Sequence, residues 1–205
     1  MTALGLTPSY LLMYFVLAKV KVFMESNRVM GFIGSPRRMG NTELIVDQIL
    51  LGAKDKGMTT EKTILSKLKI GPCIACDNCE VKGNCFQDDD MPQLLKKMDK
   101  NEVWILGTPV YWWGPTAQMK TFIDRWYGGR HVINFEGHKV ILVIPFEDTD
   151  MRTGKYTEGM LKRTVSFLKM DVLHSLLVPG VLHPGDVNGK DSILEDAYKI
   201  GYNLT

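Results

Sequence analysis

Short apolar runs alternate with longer amphipathic segments along most of the chain. Five runs rich in apolar or β-branched residues are bounded by turn residues, as is typical of strands: residues 28–33, 59–65, 102–106, 140–144 and 174–178. Helical spacing predicts a first helix capped by Asn41 or Thr42 and closed by Gly57, then helices at residues 91–98, 116–126, 156–169 and 192–204. Because strands alternate with helices, we expect a parallel sheet with helices on both faces.

One of these runs, residues 140–144, is wholly apolar and is therefore predicted to be a central strand. Five parallel strands suit a flavodoxin-like order, in which ligands bind beyond the carboxyl ends of the strands. A chain of 205 residues can form one well-buried domain, and no repeat or linker divides it. We therefore predict a flavodoxin-like α/β domain over residues 28–205, with a cysteine-rich insertion at residues 73–85.

The N-terminal residues 1–27 do not fit this pattern. An apolar stretch from Tyr10 to Ala18 is followed by Lys19 and Lys21. It is shorter than the roughly 20 apolar residues of a membrane-spanning helix, and its charges follow the stretch instead of preceding it as in a signal peptide. We interpret residues 1–27 as an added segment that packs on the domain or a partner, or as the product of a start site placed too early.

The amino-acid composition indicates which classes of binding partner are expected. Apolar residues make up 45% of the chain and charged residues 23%, and the net charge is +2. This balance is ordinary for a globular protein and predicts neither nucleic-acid binding nor attraction to an anionic membrane. With no secretory signal and with all cysteines clustered, we expect a reducing, cytoplasmic location.

The loop that follows the first predicted strand, GSPRRMGNTE, leads into a helix N-terminus, where free backbone N–H groups favour an anion. It is not a P-loop, because Gly34 and Gly40 are separated by five residues and no lysine follows. An ordinary polar turn is the alternative to a phosphate-monoester site. The groups that could line such a site are Ser35, Thr42, Asn41, and Arg37 or Arg38.

Aromatic residues mark the loop after the third predicted strand. Tyr111, Trp112 and Trp113 lie between the turn residues Pro109 and Gly114. Clustered aromatics usually belong to a core, but this punctuation places them in a loop, where exposed rings more often bind a ligand. Together the two loops suit one ligand that has a phosphate tail and a planar ring.

All four cysteines of the chain fall within thirteen residues, at Cys73, Cys76, Cys79 and Cys85. The spacing C-x2-C-x2-C-x5-C suits a cubane iron–sulfur cluster, and Gly83 could supply the turn that returns Cys85. Structural zinc more often uses two CxxC pairs separated by a longer loop, and a thioredoxin-type pair needs only two thiols. Zinc and free or disulfide-forming thiols remain alternatives to the cluster.

Two stretches together, GSPRRMGNTE and TPVYWWGPTAQMKTFIDR, resemble the NAD(P)H-dependent FMN reductases of the flavodoxin superfamily, over about residues 28–125. The resemblance implies bound FMN, with NAD(P)H as a donor. By it, the phosphate contacts are Ser35, Arg37, Asn41 and Thr42, and the isoalloxazine contacts are Pro109, Val110, Tyr111, Trp112, Trp113 and Gly114. The family's third flavin loop follows the fourth strand; here it reads PFEDTD and lacks the usual paired glycines.

The cysteine motif resembles that of the iron–sulfur flavoproteins, a branch of the same family. This implies a [4Fe–4S] cluster, a ferredoxin-like one-electron donor, and a homodimer or homotetramer; the implied cluster ligands are Cys73, Cys76, Cys79 and Cys85. One alternative is a cluster-free NAD(P)H-dependent FMN or quinone reductase. Another is a non-enzymatic binding module whose cysteines hold zinc.

Two charged features have simpler interpretations. The acidic run at residues 88–90 precedes a predicted helix and is expected to cap it. Asp124 and Arg125 are neighbours and are expected to form a structural pair.

Overall fold

The computed structural model describes residues 27–205 of the chain. The predicted N-terminal segment therefore lies outside the described residues, apart from Asn27. A five-stranded sheet forms the centre, with all neighbouring strands parallel and in the order β2-β1-β3-β4-β5. Its strands are β1 (Arg28–Ile33), β2 (Thr59–Ile64), β3 (Val103–Gly107), β4 (Lys139–Pro145) and β5 (Asp171–Val178).

The helices connect these strands and cover both faces of the sheet. They are α1 (Asn41–Asp55), α2 (Asn78–Lys82), α3 (Met91–Met98), α4 (Ala117–Asp124), α5 (Trp126–Gly129), α6 (Met151–Phe167) and α7 (Asp191–Tyr202). Short 3-10 turns occupy Leu65–Lys67 and Asp186–Gly189. This strand order confirms the predicted flavodoxin-like fold, which places ligands at the carboxyl ends of the strands.

Two hydrophobic cores hold the layers together. On one face, α1 and α7 pack on the sheet through residues such as Ile45 and Ala197. On the other face, α3 to α6 surround a cluster of aromatic residues that includes Phe32, Trp104 and Trp126. The predicted central position of β4 is confirmed: it lies between β3 and β5, and all its residues from Val140 onward are buried.

The backbones of α1 and α7 touch at two glycines. A Cβ at Gly201 would lie 1.9 Å from the carbonyl oxygen of Ile49, and a Cβ at Gly52 would lie 2.1 Å from that of Tyr198. Any side chain at these positions would force the helices apart, so glycine is required for this packing.

Several predicted helix ends are wrong. Asn41 and Thr42 do not cap α1: both lie inside the helix, and Gly40 occupies the N-cap position. The helix at the C-terminal half starts at Met151, not residue 156, because the carboxylate of Asp150 accepts a hydrogen bond from the backbone N–H of Arg152 at 2.9 Å. The predicted helix 116–126 is divided at its end into α4 and α5.

A buried carboxylate fastens α6 to β5. Glu158 accepts hydrogen bonds from Lys155 and from the hydroxyl of Ser175, both at 2.7 Å, and pairs with Lys162 at 2.7 Å. Burial raises the pKa of Glu158, but these three partners outweigh burial and lower the pKa to about 2. Glu158 is therefore ionised at neutral pH.

Within residues 27–205, no helix is both long and apolar enough to cross a membrane.

Candidate functional site

A cavity of about 300 Å³ opens at the carboxyl ends of the strands. The loops after β1, β3, β4 and β5 all contribute to its walls. Eight of the ten residues that the sequence predicts for a flavin site line this cavity: Ser35, Arg37, Asn41, Thr42, Pro109, Val110, Tyr111 and Trp112. The two loops that carried the prediction therefore meet at one cavity.

The first turn of α1 forms the polar end of this cavity. Ser35 and Thr42 are buried at its wall. The backbone N–H groups of Asn41, Thr42 and Glu43 belong to the first helical turn, where helix geometry supplies no intrahelical acceptor. Donors of this kind, with the positive end of the helix dipole, suit an anionic group.

A guanidinium lies at the rim of the same end. Arg37 donates a hydrogen bond from Nη1 to the carbonyl oxygen of Leu182, at 2.5 Å. This contact links the β1 loop to the loop after β5, and the other guanidinium N–H groups of Arg37 are further potential donors at this cavity.

The side chain of Asn41 has a bridging role that sequence reasoning did not anticipate. Its amide nitrogen donates to the carbonyl oxygen of His183 at 2.9 Å, and its amide oxygen accepts from the backbone N–H of Val187 at 3.1 Å. Both functional atoms of the side chain are thus used to hold the loop after β5 against α1. Asn41 lines the cavity, but these bonds leave mainly its backbone N–H for a ligand.

Close contacts also hold the β1 loop against the β3 loop. The N–H of Gly34 donates to the carbonyl oxygen of Gly107, and the hydroxyl of Thr116 donates to the carbonyl oxygen of Gly34, both at 2.7 Å. A Cβ at Gly34 would lie 2.9 Å from that of Met119, so only glycine permits this approach. Thr116 was not predicted as a site residue; it positions both loops and also caps α4.

An ionised carboxylate lies beside the polar end but is neutralised. Glu43 accepts a hydrogen bond from the backbone N–H of Met39 at 2.8 Å and forms an ion pair with Lys62 at 2.9 Å. Burial raises the pKa of Glu43, but Lys62 and the Met39 N–H outweigh burial and lower it. Lys62 also pairs with Asp47 at 2.8 Å, and Arg38 lies 3.9 Å from Glu43, so two cations offset the two carboxylates and limit the repulsion of a bound anion.

The aromatic loop is a tight two-residue turn. Tyr111 and Gly114 exchange backbone hydrogen bonds of 2.8 and 3.0 Å, and between them Trp112 and Trp113 have φ values of 49° and 60°. Such turns favour Asn-Gly, because side chains are strained at positive φ. In this strained turn the side chain of Trp112 lies at the wall of the cavity and is 90% exposed. Strained backbone of this kind is concentrated at functional sites.

The remaining two predicted residues of this loop lie outside the first cavity. Trp113 lines a neighbouring cavity of about 220 Å³, and its carbonyl oxygen accepts a hydrogen bond from Thr157 at 3.1 Å. Gly114 closes the turn and is not among the residues that line either cavity. The two cavities share the wall formed by Val110, Trp112, Phe146 and Glu147.

Two of the four loops that line the cavity were predicted weakly or not at all from the sequence. Phe146 and Glu147, in the β4 loop that lacks the paired glycines, nevertheless line the cavity. Val181, Leu182 and Pro184, after β5, were not predicted at all. They are ordinary apolar loop residues, and only the sheet order brings them to the first turn of α1.

The four cysteines line a second, much smaller site. Cys73, Cys76, Cys79 and Cys85 all border one cavity of about 20 Å³, together with Arg125, Tyr127 and Gly128. All four are free thiols; Cys79 is buried, Cys85 is half-buried, and the other two are exposed. In the described part of the chain, no three cysteine, histidine or acidic side chains are close enough together to hold one metal ion.

The backbone around these cysteines has unusual turns. Ala75 and Asp77, on either side of Cys76, have φ values of 51° and 55°. Turns of this kind can direct successive backbone N–H groups into one concavity, as occurs at iron–sulfur sites. Gly83 has a φ of 75° and donates its N–H to the carbonyl oxygen of Cys79, so it supplies the predicted turn.

The short helix α5 closes the other side of the cysteine cavity. A Cβ at Gly128 would lie 3.5 Å from the Cβ atoms of both Cys79 and Cys85. Glu80 of α2 forms an ion pair with Arg130, which also lies 4.3 Å above the ring of Tyr127. The cysteine segment is thus docked against α5 by packing and by charge.

Arg125 does not pair with Asp124, contrary to the prediction. Asp124 pairs with Lys120 at 2.5 Å, whereas the buried guanidinium of Arg125 reaches Asp89 at 2.5 Å. The N-cap residue of α3 is Asp90, which makes no side-chain cap hydrogen bond; only Asp89, the residue before it, accepts from the N–H of Met91 at 3.0 Å. Burial raises the pKa of Asp89, but Arg125 and two backbone N–H groups outweigh burial and lower it.

Comparisons with known proteins identify one family and several similar proteins. The profile of the family described as NADPH-dependent FMN reductase matches residues 27–178. An iron–sulfur flavoprotein of Archaeoglobus fulgidus is 42% identical over 105 residues, which cover 50% of this chain and 48% of that protein. An iron–sulfur flavoprotein of Methanocaldococcus jannaschii is also 42% identical, over 48% of this chain and 51% of that protein. The chain spans about half the length of the curated relatives it matches.

Solved structures with the same fold are more distant in sequence. An NAD(P)H:quinone oxidoreductase from Methanothermobacter marburgensis superposes with a TM-score of 0.71 at 17% identity, covering 88% of this chain and 100% of that one. An azoreductase from Bacillus anthracis gives a TM-score of 0.64 at 13% identity, covering 87% and 100%. At these identities the likeness concerns the fold.

Proposed function

We propose that this chain, which belongs to the NADPH-dependent FMN reductase family, is an FMN-dependent oxidoreductase whose four cysteines hold an iron–sulfur cluster. The observation that carries this proposal is the construction of two separate cavities. One joins a polar helix N-terminus to exposed aromatic rings, and the other gathers every cysteine of the chain.

The first cavity fits the two ends of FMN. Its polar end offers the first-turn N–H groups of α1, the hydroxyls of Ser35 and Thr42, and the guanidinium of Arg37, which together suit a phosphate. Its other end offers the rings of Tyr111 and Trp112 to a planar heterocycle. A volume of about 300 Å³ is at the lower end of the usual range for small-molecule sites.

These residues bind, orient and shield the cofactor. Bound FMN would supply the redox chemistry, accepting one or two electrons. The apolar side chains of Val110 and Phe146 would exclude water from one end of the cavity, and no side chain need act as an acid or base there. The main task of the protein is then to hold the ring and to exclude water from it.

The second cavity fits a thiolate-bound cluster by its donors. The proposed ligands of a [4Fe–4S] cluster are Cys73, Cys76, Cys79 and Cys85. Thiolates are the usual ligands of such clusters, and the left-handed turns beside Cys76 favour the negative charge of thiolate sulfur. Cys73 and Cys76 are exposed on a loop, so their side chains can turn into the cavity on binding.

Anaerobic purification followed by metal, sulfide and flavin analysis tests this proposal. Iron and sulfide near four per chain together with FMN would support it. Flavin without iron, even after reconstitution, would favour a cluster-free NAD(P)H-dependent FMN or quinone reductase. Zinc without flavin would instead identify a binding module with a structural metal.

The cluster-free reductase is the second candidate because of the neighbouring cavity of about 220 Å³. It shares Trp112 and Phe146 with the first cavity, so a hydride donor or a quinone there would lie beside the ring site. Steady-state oxidation of NADH and NADPH by the FMN-loaded protein would measure this activity directly.

The proposed partners follow from the same chemistry. A ferredoxin-like protein or NAD(P)H would supply electrons, and a homodimer or homotetramer in the cytoplasm is the proposed state. The highly exposed Trp112 and the half-exposed Trp113 would be partly covered in such an assembly. Light scattering of the FMN-loaded protein measures the number of subunits.

A further inference from the structure

The junction between α4 and α5 places a buried arginine against the cysteine segment. The side chain of Arg125 is only 2% exposed, and its guanidinium donates to four groups of that segment, one of which is the side-chain oxygen of Gln87 at 3.5 Å. It reaches the carbonyl oxygen of Gly71 at 2.9 Å, both carboxylate oxygens of Asp89 at 2.5 and 3.2 Å, and Sγ of Cys85 at 3.5 Å.

These partners bracket the cysteine motif. Gly71 precedes Cys73, and Asp89 follows Cys85, so a single side chain holds the two ends of the motif together. The N–H of Gly71 also donates to Asp89 at 3.1 Å, which joins the two ends of the motif directly. A loop whose ends are joined in this way loses much of its freedom to open.

Charge pairing explains how an arginine side chain can be buried at this junction. Removing a guanidinium from water is costly unless it is paired, and Asp89 supplies the pairing charge. One N–H of Arg125 is nevertheless directed at sulfur. A positive donor beside a sulfur ligand stabilises the more negative state of whatever the sulfur holds. The carboxylate of Asp89, which is bonded to the same guanidinium, opposes that effect.

We infer that Arg125 is the positioning residue of the cysteine site, closing the motif through Gly71 and Asp89 and raising the reduction potential of the group that Cys85 helps to hold. The inference rests on the proposed cluster function for its redox part. Reduction by an external one-electron donor, such as dithionite, adds one electron and one negative charge to that group. Arg125 favours this added charge and Asp89 disfavours it.

The test is whether replacing Arg125 and replacing Asp89 shift the reduction potential in opposite directions. Anaerobic EPR-monitored potentiometric titration of the reconstituted protein should show that Arg125→Gln lowers the midpoint potential. The expected change is at least tenfold in the ratio of reduced to oxidised protein at fixed potential, or about 59 mV for one electron. Asp89→Asn should raise the potential, and Arg125→Lys, which keeps the charge, should fall closer to wild type than Arg125→Gln.

A purely structural ion pair would behave differently. Both single variants would then destabilise the fold while leaving the potential unchanged or moving it in one direction, and either result overturns the inference. Lys120→Gln is the matched control, because Lys120 forms an exposed ion pair with Asp124 on the same helix and should leave the potential unchanged.

A second measurement does not depend on the cluster. In iron-free protein, Arg125→Gln should accelerate amide hydrogen exchange at residues 71–90 at least tenfold, while the Lys120→Gln control leaves it unchanged. Unchanged exchange in Arg125→Gln overturns the positioning role. If wild-type protein takes up no iron on reconstitution, the proposed cluster function fails, and the exchange result alone decides the inference.

Discussion

Replacing Trp112 should separate the conformational strain of the aromatic turn from the contribution of the indole ring to FMN binding. Trp112 has a φ of 49° and is 90% exposed, so its side chain contributes strain and little burial to the free protein. We expect Trp112→Gly to stabilise the FMN-free protein and Trp112→Ala to leave its stability nearly unchanged. Both variants should bind FMN more weakly, because both remove the indole ring.

The size of the effect follows from the backbone. A left-handed conformation costs a side-chain-bearing residue about 1–2 kcal/mol, and glycine avoids this cost. Glycine also loses more entropy on folding, by about 0.5–1 kcal/mol relative to alanine. The difference between Trp112→Gly and Trp112→Ala should therefore be about 1 kcal/mol in favour of glycine. For a chain of this length that is about 2–4 °C in the midpoint of thermal unfolding.

Two measurements on the same variants decide the matter. Thermal and urea unfolding of FMN-free protein give the difference in stability, and the quenching of flavin fluorescence gives the dissociation constant for FMN. Equal stability of the glycine and alanine variants would refute the strain argument. Wild-type affinity and quenching in both variants would refute the placement of Trp112 against the flavin.

Three further predictions concern the other parts of the molecule. Arg37→Ala should weaken binding of FMN more than of riboflavin, by about 1.5–3 kcal/mol for a charge-assisted bond, whereas Arg38→Ala should change both little; equal losses for FMN and riboflavin would contradict the phosphate assignment. Cys79→Ser should lose iron and the reduced-cluster EPR signal but still bind FMN, with Asn78→Ser as control; full iron content in Cys79→Ser would exclude Cys79 as a ligand. Because the pKa of Glu158 is lowered to about 2 from 4.5, its contribution to stability is complete above pH 4.5 and is lost as the pH falls toward 2. Urea unfolding should show wild type losing its advantage over Glu158→Gln across that interval, and a constant difference would contradict the assigned pKa.

The sheet could be predicted because its signal is local. The run at Arg28–Ile33 has its observed bounds, since buried parallel strands are short, apolar and bounded by turn residues. The first residues of α6 were missed for the opposite reason: Met151 is exposed, and the segment that follows it shows little apolar periodicity. There the helix is started by the side chain of Asp150, which apolar spacing does not reveal.

The site could be predicted only where its residues occur in distinctive stretches. The glycine and proline residues around Tyr111 and Trp112 indicated an exposed loop, but the positive φ values could not be expected of tryptophan. Arg125 was assigned to Asp124 because the two are adjacent in sequence, whereas its partner Asp89 lies far from it in the chain. The side-chain bonds of Asn41 to the loop after β5 likewise depend on tertiary contacts alone.

The glycine contact between α1 and α7 has a consequence for the order of events during synthesis. Gly52 and Gly201 lie near opposite ends of the described chain. At a translation rate of roughly 5–20 residues per second, the roughly 150 residues between them take roughly 8–30 s to be made. Until Gly201 has left the ribosome, the helix that carries the proposed phosphate site lacks its neighbour on the outer face. The helix that begins the proposed phosphate site therefore reaches its final packing only after residues through Gly201 have been made, so FMN that binds earlier would meet a less constrained site.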